Sequence, residues 1–134
     1  MSVVYLSSEN VLEIADAAVD DQQVRLRDVG LLESAVHRPS AAMFGEEAYP
    51  GLLEKAAALL QSLAVNRPFV DGDKRTAWVS CMVFLAINGV QLRPDIDAGE
   101  RLVIAVSTGR MEELKDIAQA LGDLADDGSA AGAV

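Results

Sequence analysis

The sequence predicts an all-α fold, on three observations. Only 4% of the 134 residues are aromatic, while Ala and Leu are abundant, a balance that favours helix over sheet. Apolar residues recur at three- and four-residue spacing along most of the chain. Gly, Pro, Asn and Asp fall between those stretches, where helices start and stop.

Six helical segments follow. The first runs from about Ser8 to Val19, with Val11, Leu12, Ile14, Ala15 and Ala18 on one face and Ser7 or Ser8 as N-cap. Asp20-Asp21-Gln22 is a polar link. The second begins near Asp28, carries Leu31, Leu32, Ala35 and Val36, and must stop by Pro39. Between Pro39 and Pro50 lies a loop with Gly45 and Glu46-Glu47. Its Met43, Phe44 and Tyr49 suggest a segment packed over something, because long loops in compact domains are often functional. The third helix starts after Pro50, shows a wide stripe of Leu52, Leu53, Ala56, Leu59, Leu60 and Leu63, and ends at Asn66-Arg67-Pro68. The fourth opens at Gly72 or Asp73 and reaches Ile87. It is apolar on nearly every side, so it is expected to be the buried central helix. Asn88-Gly89 stops it. Val90 to Pro94 is extended. The fifth helix spans Ile96 to Ser107, closed by Thr108-Gly109, and the sixth Met111 to Leu124. Residues 1–125 thus read as one domain, and 126–134, small, polar and without periodicity, as a disordered tail.

Composition excludes several functions. Eleven Lys and Arg against 21 Asp and Glu give a net charge of −10, which argues against direct nucleic-acid binding or membrane-surface binding. The most apolar stretch, Trp78 to Ile87, is about half the ~20 residues a membrane span requires. The N-terminus has no basic region before an apolar core, so a cytoplasmic location is expected. Cys81 is the only cysteine and His37 the only histidine. Intrachain disulfides and multi-histidine metal sites are therefore impossible, and Cys81 reads as a small core residue. Ser62 and Ser80 have no nearby base, Asp95 and Asp97 read as helix capping after Pro94, and no P-loop or dinucleotide fingerprint appears.

One segment concentrates chemistry. Arg67, Lys74 and Arg75 flank the start of the fourth helix. A helix N-terminus presents unpaired N–H groups and partial positive charge to anions. Gly72 permits close backbone approach, Lys74 and Arg75 suit phosphate oxygens, and Asp71 could hold Mg²⁺ beside a phosphate. The alternative is a solvated first turn with Asp71 or Asp73 as a simple N-cap.

The run Arg67-Pro68-Phe69-Val70-Asp71-Gly72-Asp73-Lys74-Arg75-Thr76-Ala77 resembles the signature of the Fic/Doc family, H-x-F-x-D-[AG]-N-K-R-T-A in its Doc (death-on-curing) branch. Leu31 to Ala35, Arg38-Pro39, Phe44-Gly45, Tyr49-Pro50, Phe84 to Val90 and Thr108-Gly109 are also similar, so the resemblance covers about Leu6 to Leu121. It implies the all-α Fic fold and a toxin paired with a Phd-like antitoxin. Members of the Doc branch transfer phosphoryl from ATP to a threonine hydroxyl of elongation factor Tu, blocking translation. Other branches transfer AMP and carry a further Arg where this chain has Trp78. By the same resemblance, Asp71 would coordinate Mg²⁺, and Gly72 with the following amides would form the anion hole. Residues Lys74 and Arg75 would grip the phosphates of ATP, and Phe69 would anchor the loop. The segment from Arg38 through Phe44-Gly45 to Tyr49 would be the flap that positions the target.

Two positions depart from the pattern. Arg67 stands where the family has its general-base His, and a guanidinium cannot accept a proton. Asp73 stands where the family has Asn, placing a carboxylate where an amide would face phosphate. Impaired catalysis and weakened nucleotide binding are expected. Two functions remain open: a weakened or altered Doc-type kinase, and a non-catalytic pseudoenzyme that binds an antitoxin or another protein.

Overall fold

The computed structural model describes residues 2–19 and 24–126. The polar link at residues 20–23 and all of the expected tail beyond Asp126 lie outside them. Six α-helices form the fold: α1 (Ser8–Ala18), α2 (Val29–His37), α3 (Leu52–Asn66), α4 (Asp73–Ile87), α5 (Ile96–Ser107) and α6 (Leu114–Leu124). The all-α expectation holds, and the helix ends sit where the local chemistry puts them. The Ser7 hydroxyl accepts the Asn10 N–H while the Asn10 side chain accepts the Ser7 N–H, a reciprocal cap on α1. Asp28 caps α2, and Asp95 caps α5 by accepting the Ala98 N–H.

The central helix is α3 rather than α4. It packs against α2, α4, α5 and α6 and against a 3-10 turn at Arg38–Ser40. Every residue from Lys55 to Leu60 is buried. Ala56, Ala57 and Ala58 let neighbours approach from all sides, so the leucine stripe understates how much of α3 is covered. Helix α4 packs on α1, α3 and α5, but Met82 and Val83 are only half-buried and Ile87 is exposed. Buried Cys81 lies on the α3 side, its Sγ 3.7 Å from the Ala56 carbonyl, and desolvation pushes its thiol pKa up to about 12, as an inert core residue requires.

Three further details differ from the sequence reading. The segment between Arg38 and Pro50 is an antiparallel hairpin, β1 (Ala42–Met43) with β2 (Glu46–Glu47), pairing Ala42 with Glu47 and Met43 with Glu46. Its two-residue loop, Phe44-Gly45, has φ of 53° and 81°, the all-positive pattern of a tight hairpin turn. Met43 and Phe44 cover nothing; they are 70% and 98% exposed. Second, α6 starts at Leu114, because the Met111 N–H folds back onto the Ala105 carbonyl and leaves Glu113 as N-cap. Third, Asp126 is held: its N–H donates to the Gln91 carbonyl, next to an antiparallel bridge between Leu92 and Ala125.

Gly99 in α5 faces the indole of Trp78 in α4, and a Cβ at Gly99 would lie 2.6 Å from the ring. Gly99→Ala is expected to destabilise by about 1–3 kcal/mol through overpacking. In a Trp78→Leu background the same change should instead stabilise by up to about 1 kcal/mol, the helix-propensity gain of Ala over Gly. Thermal unfolding of the four variants checks both signs.

Candidate active site

The motif loop starts where α3 is forced to stop. Pro68 lacks an N–H and disfavours helical geometry in the residue before it. Arg67 accordingly turns left-handed, with φ 48° and ψ 66°. That leaves the last carbonyls of α3 without helical partners, and Arg27 supplies them. Its Nε donates to the Arg67 carbonyl at 2.7 Å and its Nη2 to the Asn66 carbonyl at 2.6 Å.

Backbone hydrogen bonds then sew the loop to the chain before α2. The N–H groups of Arg27 and Asp28 both donate to the Pro68 carbonyl, at 2.7 and 3.1 Å, and the Val70 N–H donates to the Arg25 carbonyl at 2.9 Å. Leu26 and Phe69 face each other across this short antiparallel bridge. Phe69 is 1% exposed and packs in the hydrophobic core.

Helix α4 opens at Gly72, whose φ of 79° favours glycine. A Cβ there would also lie 3.1 Å from Val19 Cγ1. Among the described residues no side chain caps this end, so first-turn N–H groups of α4 are available to an anion. The Thr76 hydroxyl, near Gly72, is buried and has no hydrogen-bond partner among the described residues. Asp71 Oδ1 accepts the Gly72 N–H at 2.9 Å, and its side chain is exposed. Lys74 is exposed and forms no ion pair among the described residues.

Two side chains point elsewhere than expected. Asp73 does not face outward toward an anion: its Oδ1 accepts the Phe69 N–H at 3.0 Å and so closes the loop on itself. Arg75 donates from Nη1 to the Ala18 carbonyl at 2.7 Å, tying the C-terminal end of α1 to α4. A cation at a helix C-terminus is favourable, so part of this guanidinium already has a structural task.

The residues fit a phosphate ligand carrying Mg²⁺ better than a metal held by protein alone. The helix end, with no side-chain cap among the described residues, leaves first-turn N–H groups for phosphate oxygens. Among the described residues, no three His, Cys, Asp or Glu side chains cluster to hold a metal. Asp71 supplies an exposed carboxylate, which suits Mg²⁺ bound by one or two carboxylates, substrate phosphates and water.

The hairpin base is joined to α3 through Arg38. Arg38 lies in the 3-10 turn and sends its guanidinium inward, donating from Nη1 to Gln61 Oε1 and to the Ser62 hydroxyl, both at 2.9 Å. A cavity of about 490 Å³ opens between this cluster, Asn66 and the Thr108–Glu112 turn, lined by no residue of the motif loop. His37 is exposed, its Nε2 3.4 Å from Glu33 Oε2.

A model of the Fic/DOC family matches residues 5–85, more than half of the chain. The chain belongs to the Fic/DOC family. It is 49% identical over 123 residues to the protein named Toxin Doc from Mycolicibacterium smegmatis, a match spanning 90% of this chain and 93% of that one. For a Fic/DOC chain, the structure adds residues the motif does not contain. Arg25 and Arg27 flank the loop from the other side, and Lys55 is buried beneath the flap. An Arg-Leu-Arg run and a lysine inside an alanine stripe were the only signals, and neither points to a partner without the fold.

Burial raises the pKa of Asp73 above its ordinary value; the Phe69 N–H and the charges of Arg67 and Arg27 pull it back, and Asp71 pushes it up. An acid whose pKa is raised on folding opposes folding when ionised, and that cost vanishes as pH falls through the folded-state pKa. Asp73→Asn keeps an oxygen for the Phe69 N–H but removes the charge. It should raise the melting temperature at pH 7, with the gain shrinking as the wild-type carboxylate protonates in acid. A gain that stays constant with pH would assign the effect to something other than the charge.

Proposed function

We propose that the chain is a Doc-type toxin, the partner of a Phd-like antitoxin, with a site built to move phosphoryl from Mg-ATP to a hydroxyl of elongation factor Tu. The observation that carries the reading is the uncapped N-terminus of α4 behind Gly72, with Asp71 on one side and Lys74 on the other. The likeness to a protein named Toxin Doc along nearly the whole chain supports the toxin assignment. The cytoplasm is the proposed location, since a translation factor is met there. No helix among the described residues is long and apolar enough to cross a membrane.

In this reading, the first-turn amides of α4 and Lys74 hold the phosphates, and Mg²⁺ on Asp71 would neutralise charge on the group in transfer. The target oxygen bonds to the γ-phosphorus, the bond to the bridging β–γ oxygen breaks, and ADP leaves. The hydroxyl proton must go to a base. The guanidinium of Arg67 offers no acceptor for it, so the proton passes to solvent or to the phosphate and the step is slow.

Arg67→His should restore a base and raise phosphorylation of purified elongation factor Tu by about 10²–10⁴-fold, read by radiolabel transfer. Lys74→Ala should weaken Mg-ATP binding about tenfold or more in calorimetry, the loss of one charge-assisted hydrogen bond.

Arg67 itself favours a second reading, a pseudoenzyme that acts by binding its antitoxin or another protein. It is supported if Arg67→His binds Mg-ATP yet transfers nothing, while the chain still captures the antitoxin.

A further inference from the structure

The flap hairpin cannot hold itself. Each strand has two residues, and an isolated two-stranded hairpin is marginal even when longer. Its apolar tip, Met43 and Phe44, is exposed and gains nothing from the core. Its order must come from its base.

That base converges on Tyr49. Lys55, in the first turns of α3, is 1% exposed, and its Nζ donates to the Tyr49 carbonyl. The same Nζ lies 3.3 Å from Glu47 Oε1, at the end of β2. From the other direction, Arg38 Nε donates to the Tyr49 hydroxyl at 3.0 Å, with its guanidinium carbon 5.4 Å from the ring centre. Two cations thus grip one tyrosine at its carbonyl, hydroxyl and face, and one also grips the strand that precedes it. Glu47 pairs with Ala42, so the ion pair fixes both strands together.

Burying a lysine costs several kcal/mol before its partners are counted, and an apolar residue at this point in an Ala/Leu helix would carry no such cost. Stability alone therefore does not account for Lys55. We propose that Lys55 and Arg38 are positioning residues that clamp Tyr49 and, through Glu47, preset the flap for the chain it receives. The proposal rests on the reading of the flap as target-positioning. The clamp itself is testable without any transferase activity.

Hydrogen exchange on the intact protein reads the clamp directly. The reporter is the Ala48 N–H, which donates to the Ala41 carbonyl at the hairpin base. Glu47→Gln and Tyr49→Phe each remove one grip at a half-buried or exposed site, so both variants should fold. Each should speed exchange at Ala48 about tenfold, leaving α3 and α4 amides and the melting temperature nearly unchanged. Lys55→Met should speed it further. Flap exchange that is unchanged in Glu47→Gln and Tyr49→Phe, or that rises only in step with global unfolding, overturns the clamp. A second readout uses the Arg67→His protein: Glu47→Gln should raise KM for the protein substrate several-fold and leave KM for ATP unchanged. A rise in both, or in ATP alone, overturns the positioning role. A failure of transfer in Arg67→His itself counts against the kinase reading, while the exchange result still decides the clamp.

Discussion

Between Asn66 and Asp73 the chain must leave one helix, reverse, and enter another with that helix's first N–H groups pointing to solvent. Pro68 forces the exit, the left-handed Arg67 makes the reversal, and the left-handed Gly72 makes the entry. Neither turn is stabilised by its own residues alone. The carbonyls released at the end of α3 go to the Arg27 guanidinium, the Pro68 carbonyl to the N–H groups of Arg27 and Asp28, and the Phe69 N–H to Asp73. A polar backbone group left unpaired near the core costs about as much as a lost hydrogen bond. The segment before α2 is thus part of the site, because it completes the accounting for the loop. With those groups satisfied, the first-turn N–H groups of α4 are the donors left for a ligand.

The charge of the whole molecule conceals this arrangement. The chain carries −10, yet Arg25, Arg27, Arg67, Lys74 and Arg75 all lie in or beside the motif loop. Their tasks differ. Arg27 and Arg75 are bonded to backbone carbonyls at the ends of α3 and α1, where cations also meet the negative end of a helix. Lys74 and Arg67 are exposed, with no ion pair among the described residues. An anion approaching the α4 terminus therefore meets the exposed Lys74, while Arg27 and Arg75 keep the frame from yielding.

Much of the fold was legible because helix ends are written in local chemistry. Ser7, Asp28 and Asp95 cap the helices they precede, and Gly89 and Gly109 follow the helices they close with positive φ. The site was legible in part, since Asp71, Gly72 and Lys74 stand together at a helix start in one run of sequence. What could not be read was every relation that crosses the chain. Residues 27 and 67 are tied by a side chain across 40 positions of sequence, and Lys55 finds Tyr49 only because the hairpin base folds back onto α3. The flap's apolar residues misled for a related reason: periodicity marks residues that bury against their own protein, and Met43 and Phe44 do not. Phe44 at positive φ, nearly wholly exposed, breaks two local preferences at once, a pattern found where a segment serves something other than its own stability.

The two departures from the family motif have different consequences once their surroundings are known. A side chain at position 73 that holds the Phe69 N–H needs only an acceptor oxygen, which Asn and Asp both offer. The carboxylate therefore keeps the loop closed, at a desolvation cost that the nearby charges of Arg67 and Arg27 partly offset. Its effect on an incoming phosphate is electrostatic rather than architectural. Position 67 is different. Its backbone makes the reversal with any side chain that tolerates a left-handed turn, so the fold is indifferent to losing a base there, while proton transfer is not. On the proposed phosphotransfer reading, the scaffold that would hold phosphates and the means of taking up a proton are thus separable. One lies in backbone geometry that Asp73 preserves, the other in a side chain that Arg67 replaces.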